Sequence, residues 1–223
     1  LKIRPDWPMI GRILGIGIPS GVENSMFQLG KLAIQSTVST LGTVAIAAQA
    51  MTNILENLNG IAGIGVGVGL MTIVGQCMGA NRKDEAVYYI KKLSVIAEVT
   101  IIVSCLLVFI LTRPVTMLGG MEKTSADMCW HMVMWITIVK PIMWVSAFVP
   151  AYGLRAAGDV KFSMISSCAV MWLCRFCLSV LLIRGLGFGP MGVWIGMFAD
   201  WTVRAVLFTW RFHSRKWLEH KVI

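Results

Sequence analysis

Three ionisable side chains, Glu23, Glu56 and Lys140, lie deep inside long apolar runs of this sequence. A charged side chain at the centre of a lipid bilayer costs roughly 2.5–3.5 kcal/mol on the lenient insertion scale, so such residues are functional candidates by default. Counting from the ends of the runs at about 1.5 Å per helical residue puts all three near the middle of a membrane. A carboxylate at that depth can bind a proton or a cation, and we therefore predict Glu23 and Glu56 as ion-coupling sites.

Proline residues lie close to two of these groups. Pro19 precedes Glu23 by one helical turn, and Pro141 follows Lys140 directly. A proline inside a helix removes a hydrogen bond and bends the backbone, so we predict both prolines as hinges. Two alternatives stay open. Lys31, two turns along the same face, could neutralise Glu23 as a structural pair. Lys140 could pair with either carboxylate, as a gate or as a structural pair.

A stripe of polar side chains surrounds Glu56 at three- and four-residue spacing, which brings them to one face of a helix. Such a face borders a wet cavity or hydrogen-bonds to neighbouring helices. The cavity interpretation is favoured because many amides against lipid would be costly. Aromatic and methionine side chains could add an adaptable apolar wall for flat ligands. The predicted substrate cavity consists of Gln49, Asn53, Asn57, Met26, Phe27, Lys140 and Trp144.

Other charged and small residues are better explained by structural roles. Arg175, Asp200 and Arg204 reach similar depths, and a buried ion pair or triad explains them best because lone charges there would be costly. Gly63 and Gly67 form a GxxxG pair, which lets helix backbones approach closely in lipid. The sequence has no Walker-type ATP-binding motif. Cys174 and Cys177 form a CxxC inside a helix, but they have no second ligand pair and no neighbouring histidine. The histidines have no metal-ligand spacing either, so no metal site is predicted.

Six apolar runs have to position these side chains. Each is long enough, because about 20 helical residues cross the ~30 Å hydrocarbon core of a bilayer. Hydrophobic residues make up 57% of the chain and charged residues 14%, with a mean hydropathy of +0.74, whereas soluble domains are about 25% charged. We therefore predict an all-α polytopic membrane protein, a six-helix bundle. The runs cover residues 9–39, 44–78, 93–111, 128–152, 162–183 and 191–212.

Basic residues fall mostly in every second loop, and an excess of Lys and Arg marks cytoplasmic loops. The loops on the opposite side contain only three basic residues, which are Arg113, Lys123 and Arg184. Both termini lie on the side that is rich in basic residues and are therefore predicted to be cytoplasmic. Residues 1–8 are predicted as a linker and residues 213–223 as a tail. This topology accounts for the net charge of +9, and no nucleic-acid partner is predicted.

Several segments resemble one known family. Residues 75–86 are similar to the GQxxGAxxxxxA sequence that ends the second helix of each lobe in multidrug and toxic compound extrusion (MATE) transporters. Residues 154–159 resemble the LRGAGD loop of that family, and residues 17–21 and 210–217 resemble the start and end of its C-terminal lobe. The match runs across essentially the whole chain. Its most specific residues are Gly75, Gln76, Gly79, Leu154, Arg155, Gly158 and Asp159.

This resemblance implies that the chain is the C-terminal lobe of a twelve-helix transporter. Its partners would be the lipid bilayer and an N-terminal six-helix lobe of the same polypeptide. The start at Leu1, without an initiator methionine, also leads us to expect a fragment. The resemblance further implies export of small organic cations and drugs across the plasma membrane by alternating access. A Na⁺ or H⁺ gradient would drive this export without any other cofactor.

The sequence departs from the family pattern at the cation site. Some members carry an acidic residue in the fourth helix of this lobe, where counting back from Arg155 places Trp144. Another acidic residue lies in their first helix, where this chain has Phe27. The family's cation site is therefore not assigned to this chain. Glu23 and Glu56 are predicted only from their depth in the membrane and from the energetic cost of a charge at that depth. Basic residues match the membrane acids in number, so nothing in this lobe demands a cationic substrate.

Two alternative functions remain. A related flippase for a lipid-linked sugar or other lipid would have a similar multi-helix architecture, and basic residues in its cavity would suit a pyrophosphate. A membrane-embedded enzyme belongs to a different class. It is disfavoured because the sequence has no HExxH motif, no clustered histidines and no nucleophile with a nearby base. We therefore predict a secondary transporter and not an enzyme.

Overall fold

The computed structural model describes residues 7–219, so most of the predicted linker 1–8 and the end of the predicted tail 213–223 lie outside the described residues. Short 3₁₀ turns at Ser39–Leu41 and Lys216–Glu219 accompany the helices. No strand occurs among residues 7–219, which confirms the predicted all-α class. The helices are α1 Trp7–Val38, α2 Thr43–Gly79, α3 Lys83–Leu118, α4 Lys123–Ala156, α5 Val160–Gly185 and α6 Met191–His213.

Five of these helices, α2 to α6, are long and apolar enough to cross a membrane. The remaining helix, α1, has sufficient length at 32 residues. Its glycines and polar side chains, such as Glu23, Asn24 and Lys31, dilute its apolar character. Large apolar side chains such as Ile110, which is 71% exposed, point away from the bundle. Lipid tails are the natural partners of such a surface, so the chain is a membrane bundle.

Some helices extend beyond the predicted apolar runs. α3 begins at Lys83, well before residue 93, and α4 begins at Lys123, before residue 128. Asp84 and Glu85 lie in the first turn of α3, where carboxylates interact favourably with the helix dipole. The apolar run therefore covers only the middle of each of these two helices, and the helix continues beyond it through more polar residues.

α4 is the central helix and packs against α2, α3 and α6, whereas α1 packs mainly on α5. Two glycines of α2 allow the close approach of α4. A methyl group at Gly63 would lie 2.8 Å from the Trp144 ring, and one at Gly67 would lie 2.5 Å from the Tyr152 ring. Gly65 has no such neighbour within 4 Å. The glycine-rich segment therefore packs along one face only.

The turn between α4 and α5 holds several helices together. Gly158 has a φ of +92°, a left-handed conformation that favours glycine. Asp159 accepts a hydrogen bond from Arg211 Nε at 2.7 Å, which ties the start of α5 to the end of α6. Arg155 Nε donates to Ser163 Oγ at 2.8 Å. The family-like motif in this turn therefore has a visible structural role as a clamp.

α5 departs from regular α-helical geometry. Its segments Met171–Cys177 and Leu181–Gly185 form wider π-helical turns. Such turns are rare in proteins, and those that exist are frequently located at functional sites. The first of them carries Arg175. The apolar run 162–183 predicts a helix at this position, but hydrophobic content alone gives no signal for a π turn.

Candidate functional site

A cavity of about 520 Å³ opens between α1, α2, α4, α5 and α6. Its polar wall belongs to α2, where Asn53, Glu56 and Asn57 recur at three- and four-residue spacing and therefore share a face. Phe27 of α1 and Trp144 of α4 contribute to its apolar walls. Ligand pockets in proteins typically have volumes of roughly 300–1,000 Å³, so the cavity can hold a drug-sized molecule.

Two predicted cavity residues do not line it. Met26 is one position away from Phe27, which turns its side chain by about 100° around α1. Lys140 is completely buried behind the wall and faces α2. Gln49 does line the cavity, but its side-chain oxygen already accepts a hydrogen bond from Trp194 Nε1 at 3.0 Å. The other polar side chains by which α2 lines the cavity are those of Asn53, Asn57 and the half-buried Glu56.

The Lys140 ammonium is held by three acceptors on α2. It lies 2.6 Å from Glu56 Oε1 and 3.0 Å from the Glu56 carbonyl oxygen, and it also donates to Asn59 Oδ1. An ammonium group has three donors, so all of them are satisfied. The rings of Trp144 and Trp201 lie 5.7 and 5.9 Å from Nζ and surround the charge. Of the two carboxylates considered for Lys140, Glu56 is the partner, and the pair joins the middle of α2 to the middle of α4.

Glu23 lies elsewhere and has a different partner. Its Oε1 lies 2.5 Å from Arg155, which belongs to the last turn of α4, and Lys31 is not its partner. The structural ion pair predicted as an alternative role for Glu23 therefore exists, with Arg155 in place of Lys31. Glu23 Oε2 is buried and has no hydrogen-bond partner among residues 7–219.

The predicted group of Arg175, Asp200 and Arg204 forms a pair and not a triad. Arg204 Nε donates to Asp200 Oδ1 at 2.9 Å and both residues are buried. Arg204 also donates to the Ser167 carbonyl oxygen at 2.9 Å. Arg175 has no carboxylate within ion-pair distance among residues 7–219, because it turns toward the cavity and contributes to its lining. Of the two alternatives, a pair or a triad, the structure has the pair, and Arg175 is not part of it.

Several lining residues were not predicted from the sequence. α1 contributes Gln28, Lys31 and Gln35, and α4 contributes Phe148 and Tyr152. Lys31 and Gln35 follow Phe27 at intervals of four residues, so a search for one helical face could have found them. Phe148 and Tyr152 follow Trp144 at the same interval. The sequence thus contained a signal for both walls, which is the helical period measured from a correctly assigned residue.

No group of three or more His, Cys, Asp or Glu side chains suited to a metal ion occurs among residues 7–219. Cys174 and Cys177, the CxxC pair, lie in the π turn of α5 as free thiols. The arrangement around the cavity is therefore one of ion pairs, amides and aromatic rings. Such a set can bind and orient an organic molecule.

Comparison with known proteins gives consistent matches. The MatE family model matches residues 19–181. The chain is 24% identical over 224 residues to a probable multidrug resistance protein NorM from Thermotoga maritima, covering 99% of this chain and 47% of that protein. It is 29% identical over 200 residues to a FAD transporter from Shewanella oneidensis, covering 87% and 44% respectively. A crystal structure of MATE in the straight conformation shares the fold, with a TM-score of 0.82 at 16% identity, covering 96% of this chain and 48% of that one.

Proposed function

Because this chain belongs to the MatE family, we propose that it is the C-terminal lobe of a secondary transporter. The transporter would export small organic molecules by antiport with Na⁺ or H⁺. The chain spans about half the length of the curated relatives it matches, so the full-length protein would supply a second six-helix lobe. The chain itself is a multi-pass membrane protein. Location in the plasma membrane with both ends of this lobe in the cytoplasm is part of the proposal.

The observation that carries this proposal is an ion pair in the wall of a ligand-sized cavity. Glu56 lines the cavity and its side chain is 18% exposed, whereas its partner Lys140 is fully buried. A substrate in the cavity and an ion at Glu56 would therefore act on the same wall. A buried pair that only stabilised the bundle would not need to border the cavity.

A proton at Glu56 would neutralise the carboxylate and break the ion pair. Lys140 would keep the Glu56 carbonyl oxygen and Asn59 as acceptors, so its charge would remain partly satisfied. A Na⁺ ion would instead displace the ammonium and could use the side-chain oxygens of Asn53 and Asn57 on the same wall. Either event loosens the contact between α2 and α4. Coupling then requires only that the ion binds one lobe arrangement more tightly than the other.

Glu23 is the second candidate for coupling. With Arg155 it lines a smaller cavity of about 150 Å³, which shares Phe27, Phe148 and Tyr152 with the larger one. Its free oxygen could accept a proton. It is less favourable than Glu56 because its contact lies at the end of α4, away from the polar wall of α2.

Names of relatives support transport of organic molecules. The Thermotoga relative is named for multidrug resistance and the Shewanella relative for FAD. These two names differ in substrate, and we therefore propose the reaction type, ion-driven export, for this chain without adopting either substrate. Substrate charge depends on the side chains of this particular cavity.

The test uses the full-length protein reconstituted in proteoliposomes. Efflux of a fluorescent organic compound is measured under an imposed Na⁺ or H⁺ gradient in wild type, in Glu56→Gln and in the control Glu122→Gln, whose carboxylate is exposed. We expect wild type and the control to respond to one of the two gradients and Glu56→Gln to lose the response. Gradient-driven efflux that is equal in all three proteins would remove Glu56 from the mechanism.

A further inference from the structure

The ionisable groups around the cavity do not balance. Three basic residues are already paired with carboxylates: Lys140 with Glu56, Arg155 with Glu23 and Arg204 with Asp200. Lys31 and Arg175 have no carboxylate within ion-pair distance among residues 7–219, and both line the cavity. Among the described residues, the ionisable groups around the cavity therefore carry two more positive charges than negative ones.

These two charges act electrostatically on each other. Lys31 Nζ is 5.6 Å from the centre of the Phe27 ring, and Arg175 Cζ is 5.5 Å from the same point. Arg204 Cζ, which belongs to the ion pair on α6, lies 5.4 Å from that ring centre as well. Arg175 Nε is buried and has no hydrogen-bond partner among residues 7–219. An unsatisfied buried guanidinium donor is costly unless a partner arrives.

We propose that this cavity binds an organic anion whose carboxylate, sulfonate or phosphate group lies between Lys31 and Arg175. This inference rests on the proposed function, because it names the substrate class of the same transport cavity. It replaces the organic cation that the family resemblance implies. A guanidinium matches the two oxygens of such an acid with parallel hydrogen bonds, and a lysine ammonium adds a point charge.

The remaining wall suits an apolar, flat body attached to the acid. Trp144 and Phe148 are stacked with ring centres 5.1 Å apart, and Tyr152 continues the same face of α4. The amides of Asn53 and Asn57 on α2 also line the cavity and can donate hydrogen bonds to polar substituents. A ligand with an acidic end and an aromatic end would therefore satisfy both parts of the cavity.

Nearby carboxylates do not cancel the excess. Asp200 and Glu56 both act electrostatically on Arg175. Asp200 already neutralises Arg204, and Glu56 already neutralises Lys140. A cationic ligand would bring a further positive charge beside Lys31 and Arg175, and the carboxylate that lines the cavity among residues 7–219, Glu56, is already paired with Lys140. An anion is the ligand that neutralises the site.

The experiment measures equilibrium binding to the purified full-length protein in detergent, without any ion gradient. The probes are 2-naphthoate and 2-naphthylmethylammonium, which share a ring and have opposite charge. The variants are Lys31→Gln, Arg175→Gln and the double variant, with Lys31→Arg as the charge-preserving substitution. Lys123→Gln serves as the control, because this lysine is exposed and lies outside the cavity.

We expect 2-naphthoate to bind at least tenfold more tightly than the ammonium probe. Each single Gln variant should weaken 2-naphthoate binding about tenfold, the typical contribution of one charge-assisted hydrogen bond, and the double variant should abolish the preference. Lys31→Arg and Lys123→Gln should bind as wild type does. Equal binding of the two probes, tighter binding of the ammonium probe, or a preference that survives in the double variant would overturn the proposal.

A lipid phosphate has the same acidic chemistry as a soluble anion, and a competition arm separates the two sources. Short-chain phosphatidic acid that displaces 2-naphthoate, with phosphatidylcholine inactive, would support the anion site and assign it to a lipid. Displacement by neither lipid would support it and assign it to a soluble anion. Anion binding without gradient-driven efflux would refute the proposed transport while this inference stands, whereas efflux with a preference for the ammonium probe would do the opposite.

Discussion

Removal of the Lys140 ammonium is the perturbation whose effect follows most directly from the structure. Lys140→Met keeps a side chain of similar length but leaves the Glu56 carboxylate, the Glu56 carbonyl oxygen and Asn59 Oδ1 without their donor. Breaking a buried ion pair by removing one partner costs about 3–5 kcal/mol. Glu56 borders the cavity, where water can solvate it, so we expect the lower end of this range, about 3 kcal/mol.

Neutralising both partners should restore part of that loss. In the double variant Glu56→Gln with Lys140→Met no uncompensated charge remains, and replacing a whole buried pair is often close to neutral. A loss of about 3 kcal/mol corresponds to roughly 6–12 °C in the unfolding midpoint of a unit of 150–250 residues. We therefore expect Lys140→Met to have the lowest midpoint and the double variant to lie between it and wild type.

The assay is thermal unfolding of the purified protein in detergent, followed by tryptophan fluorescence. Lys123→Met is the matched control, because Lys123 is an exposed residue of the same helix. It should change the midpoint by no more than about 1–2 °C, since exposed substitutions usually fall within ±0.5 kcal/mol. A midpoint for Lys140→Met equal to that of the control, or a double variant less stable than either single variant, would refute this description of the pair.

Two further predictions concern the packing of α2 and the clamp at the end of α4. Gly67→Ala should lower the unfolding midpoint, because its methyl group would lie 2.5 Å from the Tyr152 ring. Gly65→Ala has no neighbour within 4 Å and should leave the midpoint equal or higher. An equal decrease of the midpoint in both variants would contradict the packing. Arg155→Gln should release Glu23 and increase amide hydrogen exchange in α1 around that residue. Exchange that is unchanged there would show that this pair does not hold α1.

The helices and the polar wall could be predicted because their signals are local. Apolar runs of membrane length gave the six helices, and the spacing of Asn53, Glu56 and Asn57 assigned them to one face before any partner was known. The resemblance to MATE transporters gave the family, which the MatE match confirms. Local sequence patterns were therefore enough to predict the architecture and one wall of the cavity.

The charge partners could not be predicted because they depend on how the helices are shifted along one another. Glu23 pairs with Arg155 of α4 and not with Lys31 of its own helix, and helical spacing within α1 gives no signal for a partner on another helix. The similar depths of Arg175 and Asp200 predict that they belong to one group. Depth alone, however, does not determine the direction in which a side chain points from its helix axis. The π turn of α5, which gives no sequence signal, changes that direction locally.

The most direct test of the proposed antiport is the reciprocal of gradient-driven efflux. A concentration gradient of 2-naphthoate across proteoliposomes of the full-length protein should drive Na⁺ or H⁺ in the opposite direction, because coupling between two ligands is mutual. We predict such ion movement in wild type and its loss in Glu56→Gln. Movement of 2-naphthoate with no ion flux in wild type, or ion flux that persists in Glu56→Gln, would contradict the account.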